Sequence, residues 1–153
     1  MTTSENILKR YTDLPSAINI LRHKAITLLP PIAWDDRNDR YMMETYKRSA
    51  KLKTVLALCF AECAETYHHW KVFTSGTSGV CIEFHRDKLI KALPQTVKHS
   101  TVRYKTIKQL DPNKIDVQKL PFIKRVGFTD ESEYRIVYTS VNTEVSTKNI
   151  PIP

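Results

Sequence analysis

Glycine is scarce in this 153-residue sequence, which contains only Gly76, Gly79 and Gly127. The P-loop and the dinucleotide-binding fingerprint both require closely spaced glycines, because their backbone must approach a phosphate group. Neither spacing occurs here. The sequence therefore excludes both of these glycine-built nucleotide sites.

Cysteine is also rare, and the three cysteines are an odd number. Cys59 and Cys81 fall inside apolar strand patterns, which is typical of reduced, buried thiols. Cys59, Cys63, His68 and His69 match no common zinc spacing, so no metal is expected. The sequence also lacks a secretory signal and any apolar run near the roughly 20 residues that span a bilayer. We therefore expect a cytoplasmic protein with no membrane partner.

Positive charge is present but unevenly distributed. The net charge is +8, and residues 86–125 contain 11 Lys and Arg against three Asp, while the rest of the chain is balanced. Such a region can attract the phosphates of nucleic acid or of a nucleotide. Solvated surface lysines are the alternative, because only Tyr104 and Phe122 are interleaved with them as stacking partners.

The stretch from Leu56 to Phe84 predicts a strand, a short helix, a glycine-containing loop and a second strand. Uncharged apolar segments at 55–61 and 80–82 fit buried strands. Connectors between strand ends carry sites more often than the strands do. The polar and aromatic residues of this connector are Glu62, Glu65, Tyr67, His68, His69, Trp70, Ser75, Thr77 and Ser78.

This connector also has a purely structural interpretation. It can be a capped helix over the sheet with Trp70 and Phe73 in the core, although His68 and His69 cannot both face one side of a helix. Residues 75–79, SGTSG, most often form a tight turn, and a phosphate-binding nest is the functional alternative.

The remaining chain alternates short strands and short helices. Strands are expected at 7–11, 25–29, 102–104 and 133–138, and helices at 15–23, 36–50 and 86–93. In the first helix, Leu14, Ala17, Ile18 and Leu21 form one apolar face. Full-length crossover helices rarely separate the strands. The pattern favours a single α+β domain over residues 1–153, with short helices and a bent mixed or antiparallel sheet.

Several motifs occur together in the order typical of a bacterial family. The chain resembles, over nearly its whole length, the family named domain of unknown function 2971. The motifs that carry the resemblance are WDDRND at 34–39, ETYHHW at 65–70, TSGTSGVCIEF at 74–84, VRY at 102–104, LPFIKR at 120–125 and DESEYRIVY at 130–138. The family is defined without a function, so this resemblance implies little about activity.

A second resemblance implies a chemistry. The opening KRYTDLPSAINILRHKAI and the late strand beginning ESE are similar to DNA-targeting ADP-ribosyltransferase toxins, although the first strand has no His and a Ser-Thr-Ser strand is not evident. The resemblance implies an ADP-ribosyltransferase-like fold with NAD as substrate. Glu133 would then stabilise the ribosyl cation. The NAD-binding residues would be Arg10, Tyr11, His69, Trp70, Ser75 and Ser78.

Each of these assignments has an alternative from the residues alone. Glu133 and Arg135 can be a solvated charge pair on one face of a strand, and Arg10 can be an ordinary surface residue. A different class of function is a non-enzymatic module that uses 86–125 to bind nucleic acid or protein. A third is a metal-dependent hydrolase that uses WDDRND with Glu131 and Glu133. The NAD hypothesis predicts that Arg10, the connector and Glu133 share one concave pocket.

Overall fold

Short apolar and alternating segments form nine strands and four α-helices in the described part of the computed structural model, residues 6–74, 76–111 and 114–153. The strands are β1 (Ile7–Asp13), β2 (Ala25–Leu28), β3 (Thr54–Ala61), β4 (Gly79–His85), β5 (Val97–Thr101), β6 (Arg103–Lys105), β7 (Ile123–Arg125), β8 (Glu133–Ser140) and β9 (Lys148–Pro151). The helices are α1 (Leu14–His23), α2 (Arg37–Ser49), α3 (Tyr67–Phe73) and α4 (Arg86–Ala92). Short 3₁₀ helices include Gly76–Ser78, Val117–Phe122 and Val126–Glu131.

The main sheet has five antiparallel strands in the order β4-β1-β3-β8-β5. β2 pairs antiparallel with β9, and β6 pairs parallel with β7. The predicted α+β class and single domain are therefore confirmed. No helix in the described ranges is long and apolar enough to cross a membrane.

Apolar side chains pack on both faces of the main sheet, because alternate residues of a strand point to opposite sides. On β8, Tyr134 and Ile136 join a core that includes Ile20 of α1 and Leu89 of α4. Val137 joins a second core formed with α2 and the helix Val117–Phe122. Glu133 and Arg135 face this second side and are thereby taken out of solvent.

The sheet is split between its first and third strands. β1 pairs with β4 along all seven of its residues, but its only Cα partner on β3 is Lys9↔Ala61. Further along β3, Ala57 instead exchanges backbone hydrogen bonds with Leu29, at 2.9 and 3.2 Å. The two strands therefore diverge and leave a gap beside Cys59.

Side chains cap the starts of three helices. The Asp13 side chain accepts from the Ser16 N–H at the start of α1, and Asp36 accepts from the Asn38 and Asp39 N–H groups at the start of α2. Asp36, in the WDDRND motif, therefore serves as the N-cap of α2. Thr66 caps α3 by accepting from the His69 N–H.

The apolar face predicted for α1 is only partly used. Ala17 is buried, as is Ile20, whereas Leu14, Ile18 and Leu21 are exposed. The small Ala17 side chain allows the helix to lie close to the sheet, and the helix is rotated so that the longer aliphatic residues point outward. Most of the predicted face therefore lies in solvent.

Candidate functional site

A cleft of about 700 Å³ occupies the gap between the diverging strands. Residues 9–13 of β1 and 57–61 of β3 form two of its walls, and we call it the β1/β3 cleft. His69, Val72 and Phe73 of α3 line it as well, and Glu131 and Glu133 contribute from the start of β8. The first strand, the connector and the late strand thus contribute to one cavity.

Arg135 organises a buried charged cluster behind the cleft. Its side chain is 0% exposed, and its guanidinium binds Asp39 through two hydrogen bonds of 2.8 and 3.0 Å. Nε donates to Glu133 Oε1 at 2.7 Å, and a terminal nitrogen donates to the Pro121 carbonyl at 2.8 Å. The guanidinium also lies 4.7 Å from the centre of the Trp34 ring. The alternative of a solvated Glu133 and Arg135 pair is therefore wrong, because α2 covers this face of the sheet.

Lys124 is the second cation of the cluster, which consists of Asp39, Lys124, Glu131, Glu133 and Arg135. Its ammonium lies 2.5 Å from Glu131 Oε2, 3.5 Å from Glu133 Oε2 and 3.6 Å from Asp39 Oδ2. Three carboxylates therefore share two cations in a region with little access to water. Such a network is rigid, because each carboxylate would be costly to leave unpaired.

The cluster shifts the pKa values of its carboxyl groups in different directions. Burial would raise the pKa of Glu133, but the charges of Arg135 and Lys124 outweigh burial and leave that pKa below its ordinary value. Burial raises the pKa of Asp39 despite Arg135, and it raises the pKa of Glu131 despite Lys124. Glu133 is thus the carboxyl group of the cluster whose ionised form is favoured relative to an ordinary glutamate.

Arg10 reaches across the gap between β1 and β3. Its guanidinium donates to the Cys59 carbonyl at 3.0 Å, in place of a strand-to-strand hydrogen bond. The side chain lines the β1/β3 cleft and interacts electrostatically with Glu133. Arg10 is therefore no ordinary surface residue, although its predicted role toward a phosphate stays a prediction.

Tyr11 and His69 form a stacked pair on the cleft wall, with ring centroids 5.1 Å apart and planes inclined by 26°. His69 Nε2 lies 3.0 Å from the Glu131 carbonyl, which can only accept, so this nitrogen carries the proton. Nδ1 then accepts from the Thr66 hydroxyl at 2.5 Å. Both ring nitrogens of His69 are engaged, and the ring is available to a ligand only as a surface.

Trp70 is not brought to the cleft wall. Its ring meets Tyr11 edge-on, with centroids 5.2 Å apart, and the cleft is instead lined by Phe73 one turn later. Adjacent helical residues point about 100° apart. Because His69 faces the cleft, its neighbour Trp70 cannot face it in the same way.

The structure describes one of the two serines predicted to bind NAD. Ser75 lies outside the described residues. Ser78 belongs to the exposed helix Gly76–Ser78, away from the cleft lining. Packing alone explains the glycine at position 79, because a Cβ there would lie 2.5 Å from Thr74 Oγ1.

Asp39, Lys124 and Arg135 are cluster residues to which the sequence analysis gave no role in an NAD site. Asp39 was named only as part of the WDDRND motif, and nothing in its spacing indicated that it would pair with Arg135. Lys124 was counted in the basic region, yet it is buried against carboxylates. The available signal was the position of Glu133 and Arg135 in an otherwise apolar strand.

Metal binding has no support in the described ranges, where no group of three or more His, Cys, Asp or Glu residues is arranged to hold an ion. Asp39, Glu131 and Glu133 do converge, as a hydrolase would require. Their oxygens, however, face Lys124 and Arg135. Lys124 and Arg135 thus contact the carboxylate oxygens that would have to bind a metal ion.

Several cations of the 86–125 region are committed to internal contacts. Arg86 pairs with Glu62 at 2.8 Å and lies 4.7 Å from the centre of the Tyr134 ring. Lys98 donates to Gln118 at 2.6 Å. Lys108 and Lys114 are exposed, and Lys105 is half-buried. The region is thus less free to bind phosphates than its composition indicates.

No family model, curated protein or solved structure matches the chain. The resemblances to the domain of unknown function 2971 family and to ADP-ribosyltransferase toxins therefore stay predictions. The residues of the β1/β3 cleft are the remaining basis for a functional assignment.

Proposed function

We propose that the protein is an ADP-ribosyltransferase-like enzyme that binds NAD in the β1/β3 cleft and cleaves its bond to nicotinamide. The observation that carries this proposal is the position of Glu133. Its carboxylate lies at the cleft wall, 4% exposed, and Arg135 and Lys124 fix its orientation and keep it charged. A carboxylate held in a fixed position at the wall of a cavity is suited to a reaction in which positive charge develops on the substrate.

The proposed reaction uses that charge directly. As the bond between ribose C1 and the nicotinamide nitrogen breaks, its electron pair leaves with nicotinamide and positive charge develops on the ribose. Glu133 stabilises this charge. A hydroxyl or amine of the acceptor, or water, then bonds to C1 and loses its proton. Glu131 lies beside Glu133, and burial raises its pKa, which makes it the better proton acceptor of the two.

The electrostatic character of the cleft supports a ligand with a cationic end. Carboxylates outnumber cationic side chains in its lining. The carboxylates are Asp13, Asp35, Asp36, Asp39, Glu131 and Glu133, and the cations are Lys9, Arg10 and Lys124. The nicotinamide ring of NAD carries a positive charge and would lie toward the carboxylates. Arg10 would contact the pyrophosphate.

Aromatic side chains supply surfaces for the rings of the ligand. The stacked Tyr11 and His69 pair, Trp34 and Phe73 line the cleft, so they replace Trp70 as the residues proposed to contact nicotinamide. The volume of about 700 Å³ lies within the range of pockets that enclose small molecules.

Calorimetric titration with NAD and release of nicotinamide test the proposal. Acceptors would be water, DNA, RNA and cell extract. Glu133→Gln keeps the size of the side chain and removes its charge, so we expect loss of turnover with much of the NAD binding retained. Arg10→Met should weaken NAD binding. Glu144→Gln, at an exposed position, serves as the control.

Because Glu133 belongs to the buried cluster, each variant also needs a melting curve. A folded Glu133→Gln protein with wild-type turnover would contradict the assigned role. Wild-type protein that neither binds NAD nor releases nicotinamide with any acceptor would overturn the proposed function itself.

A further inference from the structure

Helix α1 turns a row of large aliphatic side chains toward solvent. Leu14, Ile18 and Leu21 are 48%, 54% and 67% exposed, and we call them the α1 stripe. Their spacing of four and three residues places them along one side of the helix. Only Ala17 and Ile20 of α1 are buried. Isolated exposed apolar residues are ordinary, but an aligned row on one helix is the pattern of a surface that packs against another helix.

The fold itself does not explain the α1 stripe. Residues Ala17 and Ile20 already provide the contact of α1 with the sheet, and the Asp13 cap and the Lys24 N–H bond to Ile20 close the two ends of the helix. The three stripe residues contribute little to the core. Because these side chains are largely exposed, we expect polar replacements to leave the fold of this chain intact.

Charge around the α1 stripe indicates the chemistry of what covers it. Residues 14–24 contain no Asp or Glu, while Arg22, His23 and Lys24 are exposed at the C-terminal end. An occupying helix with acidic residues at one end of its apolar face would meet these cations. The α1 stripe with its basic end is therefore suited to pack against a helix that carries apolar residues along one face and acidic residues beside them.

Two other occupants fit less well. A second copy of this chain carries the same net charge of +8, and repulsion between two basic chains opposes their association. Helices that lie on membranes distribute Lys and Arg along their polar face and use Trp or Phe on the other. α1 has no aromatic residue, and its cations lie at one end.

We propose that the α1 stripe is a docking site for an amphipathic helix of another protein, with leucine-type residues on its apolar face and acidic residues beside it. Leu14, Ile18 and Leu21 are not among the residues that line the β1/β3 cleft, although Asp13 and Ser16 of the same segment are, and the proposal does not rest on any activity in the cleft.

Three probes test the assignment on the full chain. The first is a fluorescent helical peptide of about five turns, with Leu on one face and Glu elsewhere. The second has Lys in place of Glu. The third is vesicles that contain phosphatidylglycerol. The combined variant Leu14→Gln, Ile18→Gln and Leu21→Gln removes the α1 stripe with good helix formers. Ile107→Gln, at a 76% exposed isoleucine outside α1, is the matched control.

We expect the acidic peptide to bind the wild type and the control equally. The stripe variant should bind it at least about tenfold more weakly, with an unchanged melting temperature. Reversing the basic end with Arg22→Glu and Lys24→Glu should transfer preference to the Lys peptide.

Any of several results would overturn the proposal. The acidic peptide could fail to bind, or bind the stripe variant as well as the wild type. Sedimentation could show a dimer that the stripe variant abolishes, which would identify a second copy as the occupant. Preferential binding to the vesicles, lost in the stripe variant, would identify a membrane instead.

Discussion

Arg135 controls the electrostatics of the β1/β3 cleft from a position that no ligand touches. It holds Asp39 and Glu133 at once and is fully buried. Removing one partner of a buried ion pair leaves the other charged groups without compensation. The cost of losing Arg135 should therefore exceed that of losing any exposed arginine.

Arg135→Met should lower the free energy of unfolding by about 3 to 5 kcal/mol, because Asp39 and Glu133 would lose their shared cation in a buried region. Urea denaturation followed by circular dichroism measures the change. Arg103→Met, at an exposed position of β6, should change it by less than about 0.5 kcal/mol. Similar small losses in both variants would show that Arg135 does not organise the cluster.

The pH dependence of stability should show the lowered pKa of Glu133. Because this pKa is lower in the folded chain than in the unfolded one, ionised Glu133 stabilises the fold above the ordinary value of 4.5. That contribution is lost as pH falls below about 4.5. The pKa values of Asp39 and Glu131 are raised in the folded chain, so protonation of these two groups favours the fold as pH falls. The measurement must therefore isolate the contribution of Glu133.

Comparison with Glu133→Gln provides that isolation. The difference in unfolding free energy between wild type and variant should be constant near neutral pH and should shrink below about pH 4.5. Denaturant titrations at several pH values measure it. A difference that is the same at neutral and acidic pH would contradict the pKa assigned to Glu133.

At the level of elements, α3 depends on one threonine. Thr66 caps the helix through the His69 N–H and also bonds the His69 ring. Thr66→Ala should cost about 1 kcal/mol from the lost cap and leave the ring less well oriented against Tyr11. Thermal unfolding measures the cost, and Thr77→Ala, exposed in the following 3₁₀ helix, is the control. If the Thr66→Ala and Thr77→Ala variants were equally stable, Thr66 would not be needed to position His69.

The elements were predictable from sequence where periodicity and capping agreed. Pro15 and the Asp13 cap define the start of α1, and uncharged apolar runs define β3. β5 was missed because only Val97 of its five residues is buried, so the segment has no alternating pattern. Its strand conformation depends on pairing with β8, which is far along the chain.

The site was predictable only in part, for a similar reason. Arg10 and Tyr11 lie in β1, His69 lies in the connector and Glu133 begins β8, and the local sequence pattern predicted each of these segments. The divergence of β1 and β3 has no signal in the local sequence, because it depends on the pairing of Leu29 with Ala57. Glu133 pairs with Lys124 of β7 and with Arg135, which also binds Asp39 of α2, and these tertiary contacts cannot be deduced from residue spacing.

At the scale of the whole molecule, the basic region 86–125 and the carboxylate-rich β1/β3 cleft would bind different ligands. The basic region would bind nucleic acid, and the cleft would bind the cationic end of a small molecule. If the 86–125 region serves nucleic acid, affinity for DNA or RNA should fall steeply with salt, because bound cations release counterions. Replacing Lys105, Lys108 and Lys114 by Gln should reduce that slope, as measured by fluorescence anisotropy at several salt concentrations. Glu133→Gln should leave the slope unchanged. Undetectable binding at low salt would leave the region as a solvated surface.

The long-range contacts of the β1/β3 cleft affect the order in which parts of the chain fold. Arg10 meets a strand 49 residues further on, and Asp39 meets Arg135 across 96 residues. Contacts between such distant segments form late, since each must first overcome the entropy of closing a long loop. During synthesis, β1 and β3 emerge well before β8. A nascent chain thus has an incomplete cleft without Glu133, and any chemistry of the cleft is withheld until the last strand of the main sheet has joined it.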